Sequence, residues 1–93
     1  MNIPDLQHRS FVVLAALSDG RERSFDDIRT AVGWESTRAN FTQTATRLHR
    51  AGLVEREHKS ASGVRTLFRI TTAGRRAYRE AIDFYLFIAR KHA

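Results

Sequence analysis

The chain reads as mainly α with one small β-hairpin, an α+β fold. Three observations predict it. Apolar residues recur at helical spacing in four separate stretches. One stretch, from Leu53 to Ile70, instead reads as two short strands around a polar tip that contains Gly63, the second of them alternating at period two. The turn residues Asp19-Gly20, Gly33 and Gly52 fall between these stretches and punctuate them.

Pro4, the only proline, suits the start of a first helix running from about Asp5 to Ser18. Leu6, Phe11, Leu14 and Leu17 share a face of it, and Val12, Val13, Ala15 and Ala16 widen that face. Asp19-Gly20 stops it. Ser24 opens a short second helix as N-cap, with Asp27 in the place of the capping-box acid. Asp26 and Asp27 also suit the positive N-terminal end. Phe25, Ile28 and Val32 form its buried edge, and Gly33 ends it.

Gly33-Trp34-Glu35-Ser36 reads as a turn into a third helix, from Ser36 or Thr37 to Arg50. Phe41, Ala45 and Leu48 make one narrow apolar stripe there, and the rest is polar. The Thr residues of this helix are poor helix formers, so something other than local stability favours them. Gly52 is a natural residue to follow the helix end. Leu53 to His58 and Val64 to Ile70 read as strands, with Lys59 to Gly63 as the tip. Thr71 then caps a long last helix.

That last helix is apolar on more than one side. Tyr78, Ala81, Ile82, Tyr85 and Ala89 make one stripe, while Phe84, Leu86, Phe87 and Ile88 spread around the rest. Such a helix is normally buried on all sides. A chain of 93 residues has little core with which to cover it. The expectation is a partner helix from a second copy of the chain, with Tyr78, Ile82, Phe84, Tyr85, Phe87 and Ile88 at the interface. The competing reading is a helix lying in a groove of its own domain.

The chain has 16 Lys and Arg against 10 Asp and Glu, a formal charge of +6. The excess is localised. Between Trp34 and Arg76 nine basic residues face three acids, and the rest of the chain carries seven of each sign. A basic stretch of this kind is the footprint of phosphate binding, set against the plainer reading of an Arg-rich solvated surface. The chain has no Cys, which excludes disulfides, thiol chemistry and a Cys-based zinc site. The apolar run Phe11–Leu17 is too short to span a bilayer, and the first residues lack a basic signal-peptide region. The expected location is the cytoplasm.

Two motifs carry a resemblance. Leu48-His49-Arg50-Ala51-Gly52-Leu53-Val54-Glu55 resembles the L-x-x-x-G-L/Y-V/I-E segment that ends the recognition helix of MarR-, PadR- and ArsR-like bacterial regulators. Arg65-Thr66-Leu67-Phe68-Arg69-Ile70-Thr71-Thr72-Ala73-Gly74-Arg75 is similar to the R-T-x-Y-R-L-T-x-x-G-R segment that carries their second wing strand into the last helix. The likeness is to small stand-alone winged helix-turn-helix regulators and covers nearly the whole chain. The turn after Gly33 is a residue or two longer than usual in that family, and the third helix is richer in Thr.

The resemblance implies one winged-helix domain over residues 1–93. Its recognition helix would span about 36–50, its wing about 53–70 and its last helix about 72–91. It implies a regulator, read as a dimeric repressor, that binds double-stranded DNA at an inverted repeat with the third helix in the major groove. Ser36, Thr37 and Arg38 would fix the backbone at the helix start. Asn40 and Gln43 have amide geometry for adenine, Arg47 can pair with guanine or a phosphate, and Thr42 and Thr46 carry methyls that match thymine. Arg50, like Ala39, Gln43, Thr46 and Arg47, points away from the apolar stripe. On the wing, Lys59 and Arg65 are the charged candidates, supported by Ser60, Ser62 and Gly63. Arg56 and Arg69 rank lower, because each can pair with Glu55 or Glu57 across the hairpin.

An enzyme is not expected. The four His residues are widely spaced and without local carboxylate partners, and no phosphate loop or HExxH-type spacing occurs. No cofactor or metal is implied. A small-molecule effector is compatible with the sequence but not indicated by it. Trp34, Tyr78, Phe84, Tyr85 and Phe87 are the aromatic residues that would line its pocket, with core and dimer packing as their simpler use. The rival functions are a winged helix used for protein binding and an accessory DNA-binding subunit without its own operator.

Overall fold

The computed structural model describes residues 8–34, 37–59 and 65–91. Its elements are α1 (His8–Ala16), α2 (Phe25–Val32), α3 (Arg38–Arg50), β1 (Val54–Lys59), β2 (Arg65–Ile70) and α4 (Thr72–Lys91). The expected order of elements is borne out, with mostly helix and one antiparallel hairpin.

α1 ends at Ala16, two residues before the expected Ser18. The Ser18 amide and hydroxyl both donate to the Ala15 carbonyl, at 3.2 and 2.8 Å, so a tighter turn replaces the last helical step. The expected start at Asp5 lies outside the described residues. Asp19 then receives a two-pronged bond from Arg23, with Nη1 on Oδ1 at 2.6 Å and Nη2 on Oδ2 at 2.8 Å. The hydrogen bond from Arg23 holds the Asp19 carboxyl well below the usual carboxylate range.

The second helix starts as its sequence demands. The Asp27 amide donates to Ser24 Oγ at 3.2 Å, and the Ser24 amide donates to Asp27 Oδ2 at 3.1 Å. That exchange is the capping box. The backbone bond from Ser24 is the main cause of a lowered Asp27 pKa.

The two motifs meet in space. The Thr71 amide donates to the Leu53 carbonyl at 3.1 Å, and Thr71 Oγ1 donates to the Gly52 carbonyl at 2.7 Å. Thr71 Oγ1 also accepts from the Gly74 amide at 3.0 Å, which makes it the cap of α4, as expected. Gly52 has φ +76°, a left-handed turn that lets the chain leave α3 directly into the hairpin. Gly74 lies so close to Leu53 that a Cβ would collide with the Leu53 carbonyl oxygen. The two glycines therefore have different tasks: one turns the backbone, and the other lets α4 pack onto that turn.

β1 begins at Val54 rather than Leu53 and runs on to Lys59, which pairs with Arg65 inside the ladder instead of forming the tip. Leu53 is held in the turn by its amide bond to the Leu48 carbonyl, 2.9 Å. A short bridge was not expected. Arg23 exchanges two backbone hydrogen bonds with Phe68, both 2.9 Å, and so lies against the free edge of β2. One paired residue has no periodicity to read.

The core draws on the first three helices and the hairpin: Val13, Leu14 and Leu17, then Phe25 and Ile28, then Phe41, Ala45 and Leu48, and Val54, Phe68 and Ile70 from the hairpin, with Tyr78 of α4 packed against it. Two aromatic groups sit in different places. Phe41 meets Phe25, Trp34 and Phe68 at ring distances of 4.6 to 5.5 Å. Phe11 meets Tyr78 and Tyr85, and Tyr85 meets Phe84. Trp34 is thus part of the α2–α3 cluster and makes no ring contact with the α4 aromatics, so the five aromatics proposed for an effector pocket do not form one set.

Candidate nucleic-acid interface

α3 is set in place from both ends. At its start Thr37 Oγ1 accepts from the Asn40 amide at 3.1 Å. Trp34 packs edge-on against Phe41 and donates its indole N–H to the Thr37 carbonyl at 3.2 Å. Its inner side is Phe41, Thr44, Ala45 and Leu48, all buried. Thr44 corrects the reading that only three positions of this helix face inward. Its hydroxyl donates to the Asn40 carbonyl at 3.0 Å, which satisfies the polar atom inside the core. Thr42 makes the same bond to Arg38, also 3.0 Å. These bonds are part of the answer to why Thr is tolerated here.

The candidate DNA-reading residues lie mainly on the outside. Thr37, Arg38, Thr42, Gln43, Arg47 and Arg50 are exposed, while Asn40 and Thr46 are half-buried. Gln43, Arg47 and Arg50 are spaced to line one outward stripe. Ser36, Ser60, Ser62 and Gly63 lie outside the described residues.

The hairpin has two unlike faces. Pairing of Val54 with Ile70, Arg56 with Phe68 and His58 with Thr66 puts these six residues on one side. Glu55, Glu57, Leu67 and Arg69 occupy the other. Arg69 donates to Glu55 at 2.6 Å, which raises its pKa. The sequence expectation of a cross-strand ion pair holds for Arg69. It fails for Arg56, which alternation turns away from both glutamates. Counting in twos from Val54 was the signal that could have found this. Lys59 lies 3.7 Å from Glu22, and Arg65 lies 3.9 Å from Asp27, so both wing cations meet carboxylates of the body through exposed pairs. Such pairs are weak and yield to a stronger anion.

Between α3, the start of α2 and the hairpin is a cleft of about 390 Å³. Phe25, Phe41, Ala45 and Phe68 line its apolar part. Arg38, Arg56, His58 and Arg65 line it too, beside Thr42, Thr66, Ser24 and Asp26. The Arg38 guanidinium sits 5.0 Å from the Phe25 ring centre. His58 Nδ1 and Thr66 Oγ1 share a hydrogen bond of 2.8 Å.

The proposed interface residues on α4 divide. Tyr78, Ile82 and Phe84 are half-buried within their own chain, and Tyr78 packs against its core. Tyr85, Phe87 and Ile88 are exposed, as is Leu86, at 39 to 57%. Among the described residues no His, Asp and Glu group is placed to hold a metal ion. No helix among them is long and apolar enough to cross a membrane.

The winged helix DNA-binding domain family matches residues 10–84, which takes in all of α2, α3 and the hairpin. The chain belongs to that family. The resemblance drawn from the two motifs is thereby borne out. Solved structures agree. BpsR of Bordetella bronchiseptica, whose DNA binding is regulated by 6-hydroxynicotinic acid, has a TM-score of 0.76 and 27% identity, over 92% of this chain and 59% of that one. The PcaV transcriptional regulator of Streptomyces coelicolor, solved with its natural ligand, has a TM-score of 0.74 and 27% identity, over 90% and 56%. This winged-helix chain therefore spans less than two thirds of either. A PadR family regulator from Clostridium difficile R20291 matches in fold at a TM-score of 0.79 and 14% identity, over 90% and 93%. No curated protein matches the sequence. The similar structures are of regulators and not of enzymes.

Proposed function

We propose that this chain is a cytoplasmic, sequence-specific regulator of transcription that binds double-stranded DNA as a homodimer. α3 enters the major groove. Gln43, Asn40 and Arg47 read base edges, with Thr42 and Thr46 against thymine methyls and Arg50 beside them. Thr37 and Arg38, with Ser36, hold the backbone at the start of the helix. The hairpin, through Lys59 and Arg65 and the tip Ser60, Ser62 and Gly63, follows phosphates or the minor groove. Two copies joined through α4 present two recognition helices to an inverted repeat, and occupation of that repeat represses transcription.

One observation carries the reading: the exposed side of α3 is polar and cationic from end to end, and it borders a cleft lined by three arginines. A winged helix kept only for protein binding has no use for that combination. For the dimer, the support is the row Tyr85 to Ile88, apolar and exposed on a 20-residue helix.

Selection from genomic fragments tests the DNA reading. Enrichment of one palindromic sequence supports it, and no retained duplex sinks it. Recovery of unrelated fragments alone would point to an accessory DNA-binding subunit. Sedimentation tests the dimer. Phe84→Asp should give a folded monomer, and an intact dimer in that variant would remove this interface.

A further inference from the structure

We infer that the cleft between α3 and the hairpin seats one backbone phosphate of the DNA, with Arg56 as its central cation. The inference rests on the DNA-binding reading and gives it a fixed point.

The hairpin supplies the first observation. Its inner face begins as core, with Val54, Ile70 and Phe68 all buried. The same face continues outward as Arg56, His58 and Thr66. A strand face that packs on a core normally stays apolar. Here it changes to a guanidinium beside Phe68, at the point where the cleft opens.

Ion pairing supplies the second. Arg69 has Glu55, Lys59 has Glu22 and Arg65 has Asp27. Among the described residues the Arg56 side chain has no ion pair or hydrogen bond. The guanidinium offers five donors in a planar fork, a shape that matches phosphate.

The far wall supplies the third. Arg38 is the first residue of α3 and rests over the Phe25 ring. Thr42 follows one turn later. Two guanidiniums from different elements therefore line one cleft, and Arg65 is a third. Phe25, Phe41 and Phe68 beside them reduce the local dielectric, which strengthens attraction for an anion. The acids nearby are engaged: Asp26 lies 3.6 Å from Arg29, and Asp27 accepts from the Ser24 amide.

The cleft also lies where DNA would pass. One wall is α3, whose exposed stripe begins beside Thr42. The other is the hairpin. A strand running from a groove filled by α3 to the hairpin crosses the cleft between them. A phosphate fixed there sets the register of the helix without reading any base.

The test uses the full chain and its selected duplex. Arg56→Ala should weaken binding roughly ten- to a hundredfold. The loss should be equal across duplexes that carry single base changes. The slope of log affinity against log salt should become shallower by about one for each seated phosphate. Arg56→Lys should recover part of the affinity. Neutral methylphosphonate groups placed one at a time should reveal a position in each half-site that harms the wild type and costs Arg56→Ala nothing further. Circular dichroism and melting of Arg56→Ala should match the wild type, since the side chain is exposed.

Wild-type affinity and slope in Arg56→Ala would overturn the inference. So would a loss that varies from base to base, or methylphosphonate losses that add fully at every position. Failure of the wild type to hold any duplex is a different result: it removes the DNA-binding reading, and the phosphate seat with it.

Discussion

α3 and α4 both bury one side, yet they leave opposite chemistries uncovered. α3 hides Phe41, Thr44, Ala45 and Leu48 and shows Arg, Gln and Thr. α4 buries only Gly74 and Ala81 completely and shows Tyr85, Leu86, Phe87 and Ile88. A polar cationic face is at ease in water and gains by meeting an anion. A row of exposed aromatic and aliphatic side chains gains by leaving water. The uncovered face of each helix therefore points to a different partner: a phosphate backbone for α3, and another apolar helix for α4.

The largest expected effect separates the buried side of α3 from the uncovered side of α4. Phe41 is 2% exposed and touches three other rings, whereas Phe87 is 57% exposed. Phe41→Ala should cost about 3–5 kcal/mol in urea unfolding. Phe87→Ala should leave the unfolding of dilute protein nearly unchanged and weaken self-association instead. Equal losses from the two variants would mean that α4 is not the uncovered helix described here.

Gly74→Ala tests the joint between the two helices. The added methyl meets the Leu53 carbonyl, so the first turn of α4 must shift away from the end of α3. The expected cost is about 1–3 kcal/mol. A neutral result would show that the close approach is not required.

The smallest effect concerns the support beneath α3. Ser24→Ala removes half of the capping box of α2 and should cost about 1 kcal/mol. Asp27 links this cap to pH. Its folded pKa lies below its unfolded value, so its contribution is present above the unfolded value, near 3.9, and is lost as pH falls through the lower folded one. Melting followed down through that range should therefore be less acid-sensitive in Asp27→Asn than in the wild type. An unchanged acid limb would remove Asp27 as a contributor.

The sequence made the elements legible wherever local chemistry sets them. Ser24 with Asp27, Thr37 and Thr71 each mark a boundary through a bond to the nearby backbone, and Gly52 marks one by its left-handed φ. Contacts between distant residues were not legible. Nothing local indicates that Thr71 bonds to Gly52, or that Arg23 pairs with Phe68. Within the site, the outward positions of α3 followed from its apolar stripe, except that Thr44 is inside. Arg56 stands between two glutamates in sequence, but in a strand those neighbours lie on the opposite face. The cleft it lines needs α2, α3 and the hairpin together, and no one of them carries its pattern.

Equilibrium binding of the wild-type chain to its selected duplex, measured over a salt series, tests the central claim most directly. If α3 and the hairpin hold the backbone as described, affinity should fall linearly on logarithmic axes, by on the order of a hundredfold or more between roughly 50 and 200 mM salt. An affinity that changes less than about twofold over that range would contradict the account, because counterion release is unavoidable when arginines replace the ions around DNA.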